Sequence, residues 1–413
     1  MKDLSIYIHI PFCVRKCLYC DFLSFPVSVN TLSDADMYDF CSSTREIIES
    51  YVNLLRREIT ASAAQYKEYQ VLSVFWGGGT PSLLPLKAVS GIIETIREHY
   101  RVAEDAEITI EMNPDTVEED KLREYIISGI NRVSIGLQSA DDDELERIGR
   151  IHDYRTFVRA YELARKIGFR NINIDLMAAL PEQSVASYEH TLKQVVQLAP
   201  EHISAYSLTL EEGTPLYEQQ GIYRFPTEDE DREMYALTGE YLASCGYHRY
   251  EISNYALDGY ECRHNKVYWQ RGNYVGFGLG ASSMVENIRW TNPADVQEYR
   301  NYVERLSVNG CTPDGDAECG QSKADNAADR QLLTVHEQME EYMFLGLRMI
   351  CGIGEREFAD EFGTPLDTVY GETVAKLCGQ GLLMREQGCI RLTERGIDVS
   401  NYVMAQFLFD EID

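Results

Sequence analysis

The sequence predicts an α/β protein whose first half is a partial (β/α)6 barrel, followed by a C-terminal α+β extension with a winged-helix-like end. Three observations carry that reading. Six short apolar runs alternate with longer amphipathic stretches, the motifs with chemical potential fall at the C-terminal ends of those runs, and the alternation stops near residue 210.

The runs are Leu4–Ile10, Val71–Trp76, Glu107–Met112, Arg132–Leu137, Asn171–Met177 and Ile203–Thr209. They are rich in Ile, Val and Tyr, as strands are. Helix-like segments lie near 44–67, 86–100, 117–128, 141–148, 154–167 and 186–198. Strands and helices in strict alternation imply a parallel sheet with helices outside it. Right-handed crossovers curl such a sheet toward a barrel, with chemistry at the strands' C-terminal ends. Cys13–Cys20 follows the first run, Gly77–Thr80 the second, Glu111 ends the third, Gln138 follows the fourth, and Asp175 lies late in the fifth.

Residues 211–300 read as turns mixed with Tyr and Gly, 26–44 as an extra loop, and 309–331 as a polar linker. A helix is expected over 334–349, and the last stretch reads as helix, Gly turn, strand pair, helix. These features divide the chain into a barrel (1–230), a second region (231–308), a linker (309–333) and a helical C-terminal domain (334–413). That domain is read as a packing module rather than a DNA reader.

The 413 residues exceed the size at which single cores stop growing, roughly 250–300 residues. No run approaches the ~18 apolar residues of a membrane span. The start, MKDLSIYIHIPFC, enters strand-like sequence without the apolar segment of a signal peptide, so a cytoplasmic protein is expected. Eleven cysteines, an odd number, then read as thiols or metal ligands rather than a disulfide framework. A net charge of −29 argues against nucleic acid as partner.

Cys13, Cys17 and Cys20 place three thiolates within eight residues. Soft thiolates suit iron–sulfur clusters or zinc. A structural zinc normally takes four ligands, and no fourth Cys or His stands close by in the sequence. Three thiolates on a [4Fe–4S] cluster leave one iron open to a small molecule. The flanking run YIHIPFCVRKCLYCDF, Tyr7 to Phe22, resembles the radical SAM superfamily, and within it the oxygen-independent coproporphyrinogen oxidase branch. The resemblance continues through WGGGTPS (76–82), IEMNP (110–114), VSIGLQS (133–139), LERIGRIHD (145–153) and INIDLMAALP (172–181).

The resemblance implies a [4Fe–4S] cluster on the three cysteines and S-adenosylmethionine as cofactor. It puts Tyr7, Tyr19, Gly78 and Glu111 around the cluster-bound cofactor. Gly79, Thr80, Gln138, Arg150 and Asp175 match positions lining a second S-adenosylmethionine site in the oxidases. Glu111 and Asp175 suit ribose hydroxyls, and Arg150 can clamp a carboxylate. The chain departs from the oxidases at Phe22, where they carry a fourth cysteine, at Ala178–Ala179, where relatives often have Tyr-Gly, and in lacking their longer N-terminal extension.

A second signature, CRHNKVYW over 262–269, together with YEISNYA over 250–256, resembles the HemW-type haem chaperones. It implies haem bound through His264, Asn265, Tyr268 and Trp269, on a run placed beyond the barrel. Histidine ligates haem iron and aromatic side chains pack on porphyrins; Cys262 is the alternative ligand. The function implied is a haem chaperone that passes haem to acceptor haemoproteins, respiratory ones among them. The alternative is oxidative decarboxylation of coproporphyrinogen III through a 5′-deoxyadenosyl radical. No catalytic residue is assigned, and monomer and dimer stay open.

Overall fold

The computed structural model describes residues 1–31, 38–308 and 330–409. Most of the 309–331 linker, and part of the 26–44 loop, lie outside the described residues. All six expected strands form: Lys2–Ile10, Tyr69–Gly78, Val102–Met112, Arg132–Gln138, Ile172–Ala178 and His202–Ser207. They are parallel and stand side by side in chain order. Helices Ser42–Ser62, Leu86–His99, Glu119–Ile127, Tyr154–Ile167 and Val185–Gln197 provide the crossovers.

Each strand alternates. Ile6, Ile8, Val74, Trp76, Ile108, Ile110, Val133, Ile135, Ile172, Ile174 and Ile203 are buried in the main core with the helices. The intervening positions are polar: Ser5, Ser73, Glu107, Thr109, Arg132, Ser134, Asn173, His202 and Ser204, all buried as well. Parallel strands covered on both faces by helices read as continuous apolar runs. Here the second face bonds to itself across strands, Ser5 Oγ to Ser73 Oγ at 2.7 Å and Asn173 Nδ2 to Ser134 Oγ at 2.7 Å. The strands therefore enclose a polar interior. The sheet curls far enough for Arg15, after the first strand, to donate to the carbonyls of Gly149 and Arg150, after the fourth, at 2.9 Å each.

Residues 211–300 are not the turn-rich tract expected. The Tyr274–Phe277 strand adds a seventh parallel strand beside the first, Tyr7 opposite Gly276, and antiparallel strands flank both edges. These strands are three or four residues long, too short to show a period. Helix Glu228–Ser244 was also unforeseen. The C-terminal part has its own core around Met343, Phe358, Tyr370, Ile390 and Phe407, with a three-stranded sheet and the expected helix over Val335–Gly346. Its helix Glu355–Phe362 escaped the sequence because only two of its aromatic positions mark an apolar face. Among the described residues no helix is long and apolar enough to cross a membrane.

Candidate functional site

The cysteine loop leaves the first strand at the open end of the sheet. Cys13 is buried, and its carbonyl accepts from the Val27 amide at 2.8 Å. Thr80 Oγ1 donates to its sulfur at 3.6 Å. A turn closed by Cys20 N–H to the Cys17 carbonyl, 3.2 Å, brings on the other two thiols, which are half-buried. All three are free, and burial pushes the Cys13 and Cys20 thiols up. Among the described residues no three His, Cys, Asp or Glu side chains converge closely enough to share one ion. A four-iron cluster has no such need, because each thiolate meets a different iron. The donor set fits a cluster better than a mononuclear zinc.

The Gly77–Gly79 loop approaches from the second strand. Gly78 has φ +105°, and a Cβ there would stand 2.5 Å from the His9 ring. That ring is fixed at both ends: Nε2 donates to the Leu23 carbonyl at 2.8 Å, so Nδ1 accepts from the Tyr7 hydroxyl at 3.1 Å. Tyr7 and Glu111 flank Gly77, each with an atom 3.2 Å from where a Cβ would be. Burial, and the Asp175 carboxylate beside it, push the Glu111 carboxyl up to about 8. Asp175 accepts from Ser134 Oγ at 2.9 Å and from Asn173 Nδ2 at 2.8 Å.

Arg150 crosses this mouth. It donates to the Gly136 carbonyl at 2.6 Å, to Asn113 Oδ1 at 3.0 Å and to Cys17 Sγ at 3.6 Å. Asn113 Nδ2 donates in turn to Thr80 Oγ1 at 3.0 Å. A polar chain thus runs from Cys13 through Thr80, Asn113 and Arg150 to Cys17. Asn113 was not singled out from the sequence, although it stands in the IEMNP block between Glu111 and Pro114. Gln138, at φ +74°, ends the fourth strand, and its amide nitrogen and the Arg150 guanidinium both stand over Gly136. Tyr19 packs against a small apolar cluster of Ile148, Leu180 and Leu216. His152 is buried, with Nε2 on the Leu137 carbonyl at 3.3 Å; burial and Arg150 hold its imidazole down at about 3. The residues expected around two cofactors therefore interleave: Thr80 and Arg150, assigned to a second site, touch Cys13 and Cys17.

The His264 run is not beyond the barrel. Residues Arg263–Trp269 form a helix packed on the barrel strands. Its N-terminus carries no side-chain cap of its own; Glu107 from the third strand takes that place, accepting from the amides of Arg263 at 3.1 Å and His264 at 3.2 Å. A carboxylate there meets both the free amides and the positive end of the helix. His264 is 1% exposed, with Nδ1 2.8 Å from Ser73 Oγ and Nε2 2.9 Å from the Tyr268 hydroxyl. Burial and then Arg132 lower its imidazole to about 3. Arg348 lies 4.2 Å above the Trp269 ring. Cys262 is fully buried and donates to Glu107 at 3.4 Å, its thiol pushed up to about 12 by burial. In this arrangement neither nitrogen of His264 is free for iron. Ligation through it would replace the hydrogen bond to Ser73 or the one to Tyr268.

A curled parallel sheet with a polar lining and a Cys-x3-Cys-x2-Cys loop at its open end defines a radical SAM protein. The Radical SAM superfamily model matches residues 7–195, and the HemN C-terminal domain model residues 333–399. The structure of coproporphyrinogen III oxidase (HemN) from Escherichia coli has the same fold, with a TM-score of 0.79 at 23% identity over 98% of this chain and 90% of that one. The chain is 33% identical to heme chaperone HemW of Bacillus subtilis (strain 168) over 98% of its own length and 99% of that protein's. It is 39% identical to heme chaperone HemW of Escherichia coli (strain K12) over 69% of this chain and 71% of that one. The chain belongs to the HemW heme chaperone family.

Proposed function

We propose that the protein binds haem and hands it to acceptor haemoproteins, with a [4Fe–4S] cluster on Cys13, Cys17 and Cys20 and S-adenosylmethionine held beside it. The observation that carries this reading is similarity to the HemW chaperones along nearly the entire chain. Position 22 adds to it: an exposed Phe stands where the resemblance to the oxidases calls for a fourth cysteine.

When bound, the cluster would be held by Cys13, Cys17 and Cys20 and would supply an iron left open to S-adenosylmethionine. The chain's own residues do the rest. Gly78 lets the backbone approach the cofactor's amino group, Glu111 and Asp175 receive its ribose hydroxyls, and Arg150 takes its carboxylate. Tyr7, Tyr19, Gly79, Thr80 and Gln138 shape the walls.

The test is a haem titration of anaerobically reconstituted protein followed optically, then mixing with an apo-haemoprotein. A saturable haem complex whose spectrum passes to the acceptor is expected. Absence of haem binding, with turnover of coproporphyrinogen III and two methionines released per substrate, would establish the oxidase alternative instead.

A further inference from the structure

We infer that the Arg263–Trp269 helix is the floor of the S-adenosylmethionine cavity, and that His264 and Tyr268 are positioning residues for that cavity. The inference rests on the cofactor assignment proposed above.

The geometry is continuous from the floor to the cluster loop. The Ser5 and Ser73 hydroxyls pair at 2.7 Å, Ser73 reaches His264 at 2.8 Å, and His264 reaches Tyr268 at 2.9 Å. The His264 ring stacks on Phe75, centroids 5.2 Å apart and planes 24° apart. Phe75 is the register partner of Tyr7 on the neighbouring strand. Tyr7 bonds His9, and His9 bonds the carbonyl of Leu23, three residues past Cys20. Tyr268 itself packs edge-on against Tyr274, centroids 4.7 Å apart, on the strand that pairs with the first. Burial, and then the nearby Tyr7, Tyr274, Cys262 and Glu111, oppose ionisation of the Tyr268 hydroxyl.

A surface ligand would keep one ring nitrogen free and some edge exposed. His264 has neither, and Glu107 ties the helix down by two amides. Phe75 stands beside Tyr7 in the register of the two strands, so the helix and the Tyr7 side of the cavity share one packed layer. A hydrogen-bonded chain of this kind acts as a unit, so cutting it at either end gives one loss, not two.

The test uses the full chain, anaerobically reconstituted, in two variants chosen to spare the packing: Tyr268→Phe removes one hydroxyl from the helix, and Ser73→Ala removes one from the strand. S-adenosylmethionine affinity by calorimetry, its effect on the EPR spectrum of the reduced cluster, iron content and haem stoichiometry are read on each. Each variant should lose about five- to tenfold in affinity, the size of one ordinary hydrogen bond. The double variant should lose no more than either alone, with iron content unchanged. Unchanged cofactor affinity in both variants overturns the inference. So does loss of haem with cofactor affinity intact, which returns the helix to haem ligation. Loss of cluster, cofactor and haem together marks a merely structural role and overturns it equally. Wild-type protein that holds a full cluster yet ignores S-adenosylmethionine removes the underlying assignment instead.

Discussion

Substituting Gly79 by Ala probes whether the glycine loop and the cysteine loop are one device. The added Cβ would land 2.6 Å from the Phe12 carbonyl oxygen, 2.9 Å from that of Ile10 and 3.0 Å from Cys13 Sγ. Two of these neighbours are backbone and cannot rotate aside. They also accept the hydrogen bonds that join the loops, Gly79 N–H to Ile10 and Thr80 N–H to Phe12, both 2.8 Å. Relief costs about 1 kcal/mol for each strained hydrogen bond and about 1–3 kcal/mol for overpacking. The sum, about 3–5 kcal/mol, is a large share of an ordinary domain's stability of about 5–15 kcal/mol. Because the displaced backbone carries Cys13, iron retention should fall with it. Iron and sulfide per chain after anaerobic reconstitution, with thermal unfolding in parallel, measure both effects. Gly363→Ala is the control: its φ is +67° with no atom within 4 Å of a Cβ, so it should cost about 1 kcal/mol and keep the iron. A Gly79→Ala protein with four irons and the stability of the control would refute the coupling.

Arg150→Ala removes the donor shared by Cys17, Asn113 and Gly136, and should weaken S-adenosylmethionine by about ten- to a hundredfold, the worth of a charged hydrogen bond of about 1.5–3 kcal/mol; unaltered calorimetric affinity would count against its role. Glu111, pushed up to about 8, binds its proton more tightly folded than unfolded, so the stability it adds is full below about pH 4.5 and is lost as pH rises through about 8. Binding of the cationic cofactor should strengthen over the same rise as the carboxylate forms, and Glu111→Gln should flatten that profile in titrations across it. Glu107→Ala uncaps the Arg263–Trp269 helix and removes one of the charges acting on buried Arg132. About 3–5 kcal/mol should be lost, read from the denaturant midpoint, and Glu107→Gln should recover only part of it, because its single oxygen can accept from one of the two amides and it leaves Arg132 without the charge.

The barrel strands and their helices were readable because local preference and burial agree there. Helix Tyr154–Ile167 lies where its pattern placed it, with the Asp153 side chain accepting from the Thr156 amide and Gly168 closing it at φ 125°. The fourth strand differs from expectation by one residue, Gln138, whose positive φ turns the chain out of the sheet. The polar lining was present in the same strands as alternate Ser, Asn, Glu and Asp, a signal that could have separated a cavity wall from a packed core. The Tyr274–Phe277 strand carried no such signal. Its four residues become a strand through pairing with Ser5–Ile8, about two thirds of the chain away.

The same contrast divides the site. Three thiols in eight residues meet through a local turn, so their chemistry can be deduced from spacing. The surroundings of His264 cannot. Its hydrogen bond to Ser73 spans 191 residues and its amide's bond to Glu107 spans 157, so no local pattern records either. From the sequence, the HemW resemblance made His264 a haem-ligand candidate on a run beyond the barrel. Long-range packing puts it against the polar lining of the barrel strands, where Glu107 and Ser73 offer partners that water would otherwise have to supply.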